Sequence, residues 1–141
     1  MWVAGVDGCS AGWLAVFRST NRDAPHAQIF DSFANIVAKG VAKIAVDIPI
    51  GLPETSKRGG RWADREARKM LGLDRQSSVF PAPSRATLKV SSFSEACEIE
   101  QRNSDPPKKV SQQAFNIIEK IREVDIIARQ HSSLILNAIQ R

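Results

Sequence analysis

The stretch AGVDGCSAGW, residues 4–13, places Asp7 at the end of a short apolar run and follows it with small residues. A second apolar run, residues 13–17, comes directly afterwards, so the order predicts a β-hairpin with a small-residue turn. The stretch IAVDIPIGLP, residues 44–53, repeats the pattern of an acid within an apolar run. Residues 41–50 are rich in β-branched side chains, which is typical of a strand buried on both faces.

The rest of the first half completes a sheet. Residues 28–33 predict a third, weaker strand. Ser32 resembles the N-cap of a short helix, because a serine hydroxyl accepts hydrogen bonds from the free backbone N–H groups of a helix start. Gly40 marks the end of this helix, since glycine commonly ends helices. The first half therefore reads β-β-β-α-β, with the fourth strand in the centre.

The second half is helical. We expect a helix over residues 61–71, ended by Gly72, a short helix over residues 94–102, and the longest helix from Ser111 to about Arg129. Loops are predicted for residues 51–60, 76–85 and 103–109, where proline, glycine and serine gather. Residues 134–136 either form a last strand or extend the helix. One domain over residues 1–141 is the simplest organisation.

Composition narrows the class of protein. The chain has 141 residues and a net charge of +5, a balance that favours a polyanion such as nucleic acid without requiring one. The two cysteines, Cys9 and Cys97, are too few for a disulfide framework and predict free thiols in a cytoplasmic protein. No apolar run is long enough for a membrane span, no signal peptide is visible, and phosphate-loop and dinucleotide motifs are absent.

Asp7 and Asp47 need an explanation because both interrupt apolar runs. A buried carboxylate without a partner loses several kcal/mol of solvation, and two on neighbouring parallel strands also repel each other. A divalent cation, Mg²⁺ or Mn²⁺, removes both problems, since hard oxygen ligands suit it. The alternative is that each acid caps a loop or accepts backbone N–H groups at a strand end.

Helical spacing singles out a third acid. At 100° per residue, Asp125 lies at the edge of the apolar stripe of the last long helix. Glu119 and Glu123 fall on the opposite face, where we expect solvent and ion pairing. An ion pair with Arg129, one turn later, is the alternative role for Asp125.

Asp64 has two open roles. It lies three residues after Arg61 and one turn before Arg68, so an intrahelical ion pair explains it simply. The alternative is a role in a site, as a metal ligand or as a partner for arginines that face phosphate. The serines and Arg85 of SSVFPAPSR, residues 77–85, suit an oxyanion or phosphate, although a loop that only packs Phe80 on the sheet is equally consistent.

Five motifs in order carry a resemblance to a known family: GVDGCSAGW, AVDIPIGLP, ADREAR, SSVFPAPSR and SQQAFNIIEKIREVD. They resemble the successive motifs of domain-of-unknown-function family 429, described as predicted nucleases with a ribonuclease H-like fold, over residues 3–125. The resemblance implies an α/β fold with a five-stranded mixed sheet, three antiparallel strands followed by parallel ones, and packed helices. The family continues into a final strand and a His-Pro-Glu segment that this sequence does not contain, so we expect a domain without the family's C-terminal part.

The resemblance also implies a function. Asp7, Asp47 and Asp125 would hold divalent ions that activate water and stabilise the leaving oxygen of a phosphodiester, with Asp64 as a fourth catalytic acid. Side chains assigned to substrate phosphate are Arg65, Arg68, Ser78, Arg85 and Lys120. The expectation is thus a hydrolase, a nuclease dependent on magnesium or manganese.

Two alternatives remain open at this point. One is a nucleotide-phosphate-binding domain of the actin and sugar-kinase type, which places a similar hairpin against phosphates. The other is a non-catalytic scaffold, in which Asp7 and Asp47 would find basic or backbone N–H partners. The residues do not distinguish RNA, DNA and nucleotide substrates, and an uncovered sheet edge makes a homo-oligomer plausible.

Overall fold

The structure, a computed structural model, describes residues 1–21 and 23–137. The strands in chain order are β1 (Trp2–Cys9), β2 (Gly12–Ser19), β3 (His26–Phe30), β4 (Lys43–Val46), β5 (Ser56–Lys57), β6 (Ser104–Asp105) and β7 (Ile135–Asn137). The helices are α1 (Phe33–Val37), α2 (Trp62–Leu71), α3 (Phe93–Arg102), α4 (Gln112–Asn116) and α5 (Ile118–Gln130). Short 3₁₀ turns occupy Gln76–Ser78 and Arg85–Lys89.

The chain divides into two compact units. Among the described residues, the first comprises Met1–Ile50 together with residues 120–137, and the second comprises Gly51–Glu119. The assignment of the whole chain to one domain stays a prediction, as does its cytoplasmic location. Within the described ranges, no helix combines the length and the apolar character that a bilayer crossing requires.

The first unit is built on a five-stranded sheet in the order β3-β2-β1-β4-β7. β1 pairs antiparallel with β2, and β2 pairs antiparallel with β3, whereas β4 runs parallel to both β1 and β7. This confirms a mixed α/β fold with a mixed sheet. The middle strand is β1, so the expected central position of the fourth strand was wrong. β4 lies between two parallel neighbours, but its burial alternates, since Ile44 and Val46 are buried whereas Lys43 is exposed, so the expected burial on both faces was wrong as well. Residues 135–137 form the last strand rather than an extension of the helix.

One face of this sheet is covered by helices. Side chains alternate between faces along a strand, so Trp13, Ala15 and Phe17 of β2 point to the same side, where all three are buried. Trp13 packs edge-on against Phe33 of α1, with ring centroids 5.2 Å apart. The core of the first unit lies on this side and includes Ile44 and Val46 of β4, both fully buried.

The opposite face, which we call the open face, is exposed. Its large apolar side chains keep a substantial part of their surface in solvent: Leu14 39%, Val16 46%, Ile29 55% and Leu136 51%. A Cβ atom added at Gly5, which lies on the same face, would meet no atom within 4 Å. Asp7 belongs to the open face, because it alternates with the buried Val6.

The second unit contains α2, α3 and α4 and a two-stranded parallel sheet of β5 and β6. Its apolar cluster is formed by Ala96, Cys97, Val110 and Ala114. Glu100, on the same helix α3 as Ala96 and Cys97, is buried; its carboxylate accepts the backbone N–H of Ser84 at 2.8 Å and lies 3.8 Å from the ammonium group of Lys108. The buried carboxylate is therefore hydrogen-bonded and paired, as burial requires.

The prediction of one continuous helix from Ser111 to about Arg129 was wrong, because the structure has two helices in this range. α4 ends at Asn116 and α5 begins at Ile118, with Ile117 as the C-cap between them. Asparagine is a weak helix former because its side chain competes for backbone hydrogen bonds. Because of the break, Ile118 is the buried residue, with 3% of its surface exposed, whereas Ile117 is only half-buried.

The prediction of a solvated Glu123 was also wrong. Its carboxylate accepts the indole N–H of Trp13 at 2.8 Å and the backbone N–H of Phe33, the first residue of α1. Both donors need an acceptor, because a buried indole and a free helix N-terminal N–H lose water on folding. Glu123 thus connects α5 to β2 and α1 by hydrogen bonds, although we expected its side chain to be solvated.

Glu123→Ala is expected to lower the free energy of unfolding by about 1–3 kcal/mol, because it leaves two buried donors unsatisfied. Glu98→Ala, which removes the same charge from an exposed position on α3, should change it by less than about 0.5 kcal/mol. Urea denaturation of the two variants and the wild type provides the measurement. Equal effects of the two substitutions would contradict a structural role for Glu123.

Candidate functional site

Asp7 and Asp47 lie side by side because of the register between β1 and β4. The parallel pairs are Ala4 with Ile44, Gly5 with Ala45, and Val6 with Val46. The backbone N–H of Asp47 then donates to the carbonyl of Val6 at 3.1 Å. Asp47 comes directly after the end of β4, and Asp7 lies within β1, one residue beyond the last pair of β1 with β4. Both acids are on the open face, so the predicted proximity of the two is found.

The small residues after Asp7 serve the hairpin. Gly12 has φ of +120°, and a Cβ atom at this position would lie 2.3 Å from the carbonyl oxygen of Phe30. Only glycine fits there, since both the backbone conformation and the close approach exclude a side chain. The turn lets β2 return with Leu14 opposite Asp7. Glycine is thus needed to build the hairpin that carries the acid.

The electrostatics of the pair are unfavourable. Burial raises the pKa of Asp47, and the neighbouring carboxylate of Asp7 raises it further. Asp7 is exposed and Asp47 is half-buried. Within residues 1–21 and 23–137, neither carboxylate accepts a hydrogen bond or forms an ion pair. The predicted alternative of basic or backbone partners is therefore not what the described residues show.

Asp125 is 7% exposed and lies in the same unit as the pair. Its burial on α5 agrees with the helical spacing that directs it toward the core. In the described part of the chain, however, no three or more His, Cys, Asp or Glu side chains form a group that could hold a metal ion. The role of Asp125 as a third ligand stays a prediction.

Asp64 lies in the second unit and is bound to Arg61. Its carboxylate accepts the backbone N–H of Arg61 at 2.9 Å and the guanidinium Nε at 3.0 Å, which forms a capping box at the start of α2. Asp64 is 3% exposed, so the bonds compensate its burial. The ion pair expected from the sequence is confirmed, and a catalytic role for Asp64 stays a prediction.

The arginines assigned to phosphate bind the protein's own backbone. Arg65 donates to the carbonyl of Gly60 at 2.8 Å, and Arg68 donates to those of Val79, at 3.0 Å, and Gly59. Arg85 donates to the carbonyl of Leu52 at 3.1 Å and pairs with Glu54 at 3.2 Å.

These contacts hold the loops of the second unit in place. Ser78 lies at the end of an exposed 3₁₀ turn in the same unit. Contact of these side chains with a substrate stays a prediction.

Lys120 is the predicted phosphate contact that belongs to the first unit. Its ammonium group donates to the carbonyl of Gly12 at 2.6 Å and lies 4.7 Å from the centroid of the Trp13 ring. A Cβ atom at Gly8 would lie 2.5 Å from Cδ of Lys120, so the side chain passes closely over the hairpin. Lys120 therefore clamps the hairpin that carries Asp7, a role for which the sequence contains no signal beyond Gly8.

The raised pKa of Asp47 predicts a pH dependence of stability. The folded state keeps a proton on Asp47 at a pH where the unfolded chain has lost it, so the free energy of unfolding falls as pH rises through that window. Asp47→Asn should remove this fall and should be more stable than the wild type at pH 7, because the neutral amide is not repelled by Asp7 and loses less solvation on burial. Urea denaturation from pH 3.5 to 7 in EDTA measures it, with the exposed Asp74→Asn as the control. An unchanged pH slope in Asp47→Asn would argue against the strained pair.

Comparison with known families matches residues 5–138 to the family described as a protein of unknown function, DUF429. The matched range includes both carboxylates of the pair and Asp125. Comparisons with curated proteins and with solved structures find no match. Since the family match covers nearly the whole sequence, the chain belongs to the DUF429 family.

Proposed function

We propose that this protein is a divalent-metal-dependent nuclease. Its catalytic site, where a phosphodiester bond is hydrolysed, is formed by Asp7 and Asp47. The observation that carries the proposal is the adjacency of these acids on two neighbouring parallel strands, Asp7 within β1 and Asp47 at the end of β4, on an exposed face, with the pKa of Asp47 raised by burial and by Asp7. Perturbed groups of this kind concentrate at functional sites. The sheet, three antiparallel strands followed by parallel ones, has the arrangement that a ribonuclease H-like fold implies.

The donor set suits Mg²⁺ or Mn²⁺. Carboxylate oxygens are hard ligands, and Mg²⁺ in phosphate-handling sites is commonly held by one or two carboxylates, with water and substrate phosphate completing the coordination. Asp7 and Asp47 meet this requirement without a third protein ligand. A doubly charged cation also removes the repulsion that raises the pKa of Asp47.

Each residue of the site has a distinct task. Asp7 and Asp47 bind the cation, and the bond from the Asp47 N–H to Val6 fixes their separation. Lys120 and Glu123 hold the hairpin through Gly12 and Trp13, so Asp7 is kept in place from the opposite side of the sheet.

When bound, the metal lowers the pKa of a water molecule and stabilises the leaving oxygen. The exposed face leaves room for a polymer, and the net charge of +5 favours a polyanion.

Metal binding is tested by thermal melting. Mn²⁺ at 100 times its dissociation constant should stabilise the wild type by about 2.7 kcal/mol, because only the folded chain brings the two acids together. Asp7→Asn and Asp47→Asn should lose this shift, whereas Asp74→Asn should keep it. The same titration of Asp125→Asn shows whether the acid implied by the resemblance contributes, and we expect a reduced shift. A wild-type chain that Mn²⁺ leaves unchanged would contradict the metal site.

Nuclease activity is tested with single-stranded RNA, single-stranded DNA, duplexes, an RNA–DNA hybrid and ATP, each with Mn²⁺ and with EDTA. We expect cleavage of at least one polynucleotide that depends on the metal, and a loss of at least about 100-fold in Asp7→Asn and Asp47→Asn. Asp74→Asn should keep the activity, which controls for the loss of a surface carboxylate as such, and the two pair variants, purified identically, control for contaminating nucleases. Hydrolysis of ATP alone would instead favour the nucleotide-phosphate alternative. Activity that persists in both pair variants would show that the signal comes from elsewhere.

A further inference from the structure

The open face has an ordered distribution of apolar and charged side chains. The strand register arranges it in three rows across the sheet. The middle row contains Val16, Gly5, Ala45 and Leu136, which are apolar or small. One outer row contains Leu14, Asp7 and Asp47, and the other contains Arg18, Val3 and Lys43.

The two outer rows carry opposite charges. Asp7 and Asp47 lie at one end of the face, and the exposed side chains of Arg18 and Lys43 lie at the other end. Lys43 donates to the carbonyl of Ser133, which uses one of its three N–H groups. The two outer rows are four residues apart along the strands, a distance of about 13 Å. The basic side chains of one outer row are therefore too far away to neutralise the acids of the other row in the same chain.

We propose that a second copy of this chain docks on the open face and forms a two-fold symmetric dimer. A two-fold axis that runs along the middle row reverses the strand direction of the partner. The acidic row of each copy then lies over the basic row of the other, with Lys43 over Asp47 and Arg18 beside Asp7. A single surface that is complementary to itself in this way is what an isologous interface requires.

Charge complementarity is the reason that the occupant is a second copy. A partner with a uniformly charged surface would be attracted by one outer row and repelled by the other, whereas an inverted copy matches both. The same arrangement covers Leu14, Val16 and Leu136, which are 39%, 46% and 51% exposed. Two sheets packed face to face approach to about 10 Å, a distance that long Arg and Lys side chains span.

This inference goes beyond the proposed nuclease function and does not depend on it. The dimer uses the carboxylates of Asp7 and Asp47 as acceptors for the partner's cations. A bound metal would use the same oxygens, and a polynucleotide would use the same face, so the dimer is a state of the metal-free protein that excludes both. The experiment is therefore carried out in EDTA, where its result is independent of metal binding.

Sedimentation velocity of the full chain from about 5 to 200 µM tests the dimer. The wild type should dimerise, and Val16→Glu, in the middle row, should raise the dimer dissociation constant at least about tenfold by placing like charges at the axis. Met70→Glu provides the matched control, since Met70 is 73% exposed and belongs to α2 of the second unit. Circular dichroism checks that each variant is folded.

Charge exchange gives the sharper test. One variant, Arg18→Glu with Lys43→Glu, makes both outer rows acidic, and the other, Asp7→Lys with Asp47→Lys, makes both basic. Each alone should be monomeric, and their mixture should form a heterodimer, because every contact between the rows then joins opposite charges.

Only folded chains give this rescue. If either variant fails to fold, Val16→Glu decides the question. A wild type that stays monomeric up to about 200 µM, a Val16→Glu variant that dimerises as the wild type does, or a mixture of folded charge variants that does not associate would each overturn the proposal.

Discussion

The hydrogen bond from the backbone N–H of Asp47 to the carbonyl of Val6, 3.1 Å long, is the contact on which the candidate site depends. It extends the parallel register of β1 and β4 by one step and leaves the two acids next to each other. A slip of one residue would send Asp47 to the helix-covered face, because side chains alternate along a strand. The burial of Ile44 and Val46 fixes the register, so the apolar core sets the position of the carboxylates.

The pair is a local conflict that the surrounding structure tolerates. Asp47 is half-buried beside Asp7, and its pKa is raised for both reasons. Other polar groups around the hairpin are paired, as Glu123 binds Trp13 and Phe33, and Lys120 binds Gly12. A local conflict beside such satisfied contacts is typical of a functional site. Two sources of positive charge suit it, a divalent cation or the basic row of a second copy, and both would reach it from the open face.

Much of the first unit could be predicted from the sequence, and the reasons are local. The hairpin, the β-branched run of β4 and the N-cap at Ser32 follow from side-chain chemistry within a few residues. The neighbouring position of Asp7 and Asp47 was also expected, because both acids interrupt apolar runs that predict neighbouring parallel strands. The partners of Glu123 and Lys120 could not be predicted, since Trp13 and Gly12 lie more than 100 residues away in the chain. Arg65 and Arg68 resemble phosphate ligands in sequence, and only tertiary structure shows that they bind the carbonyls of Gly59, Gly60 and Val79.

The most direct measurement of the central claim is a crystal structure of the chain grown with Mn²⁺, with anomalous diffraction data collected to locate the metal. We expect an anomalous peak between Asp7 and Asp47, within coordination distance of an oxygen atom from each carboxylate. A structure without bound manganese at that position, or with the two carboxylates turned toward separate basic partners of the same chain, would contradict the account.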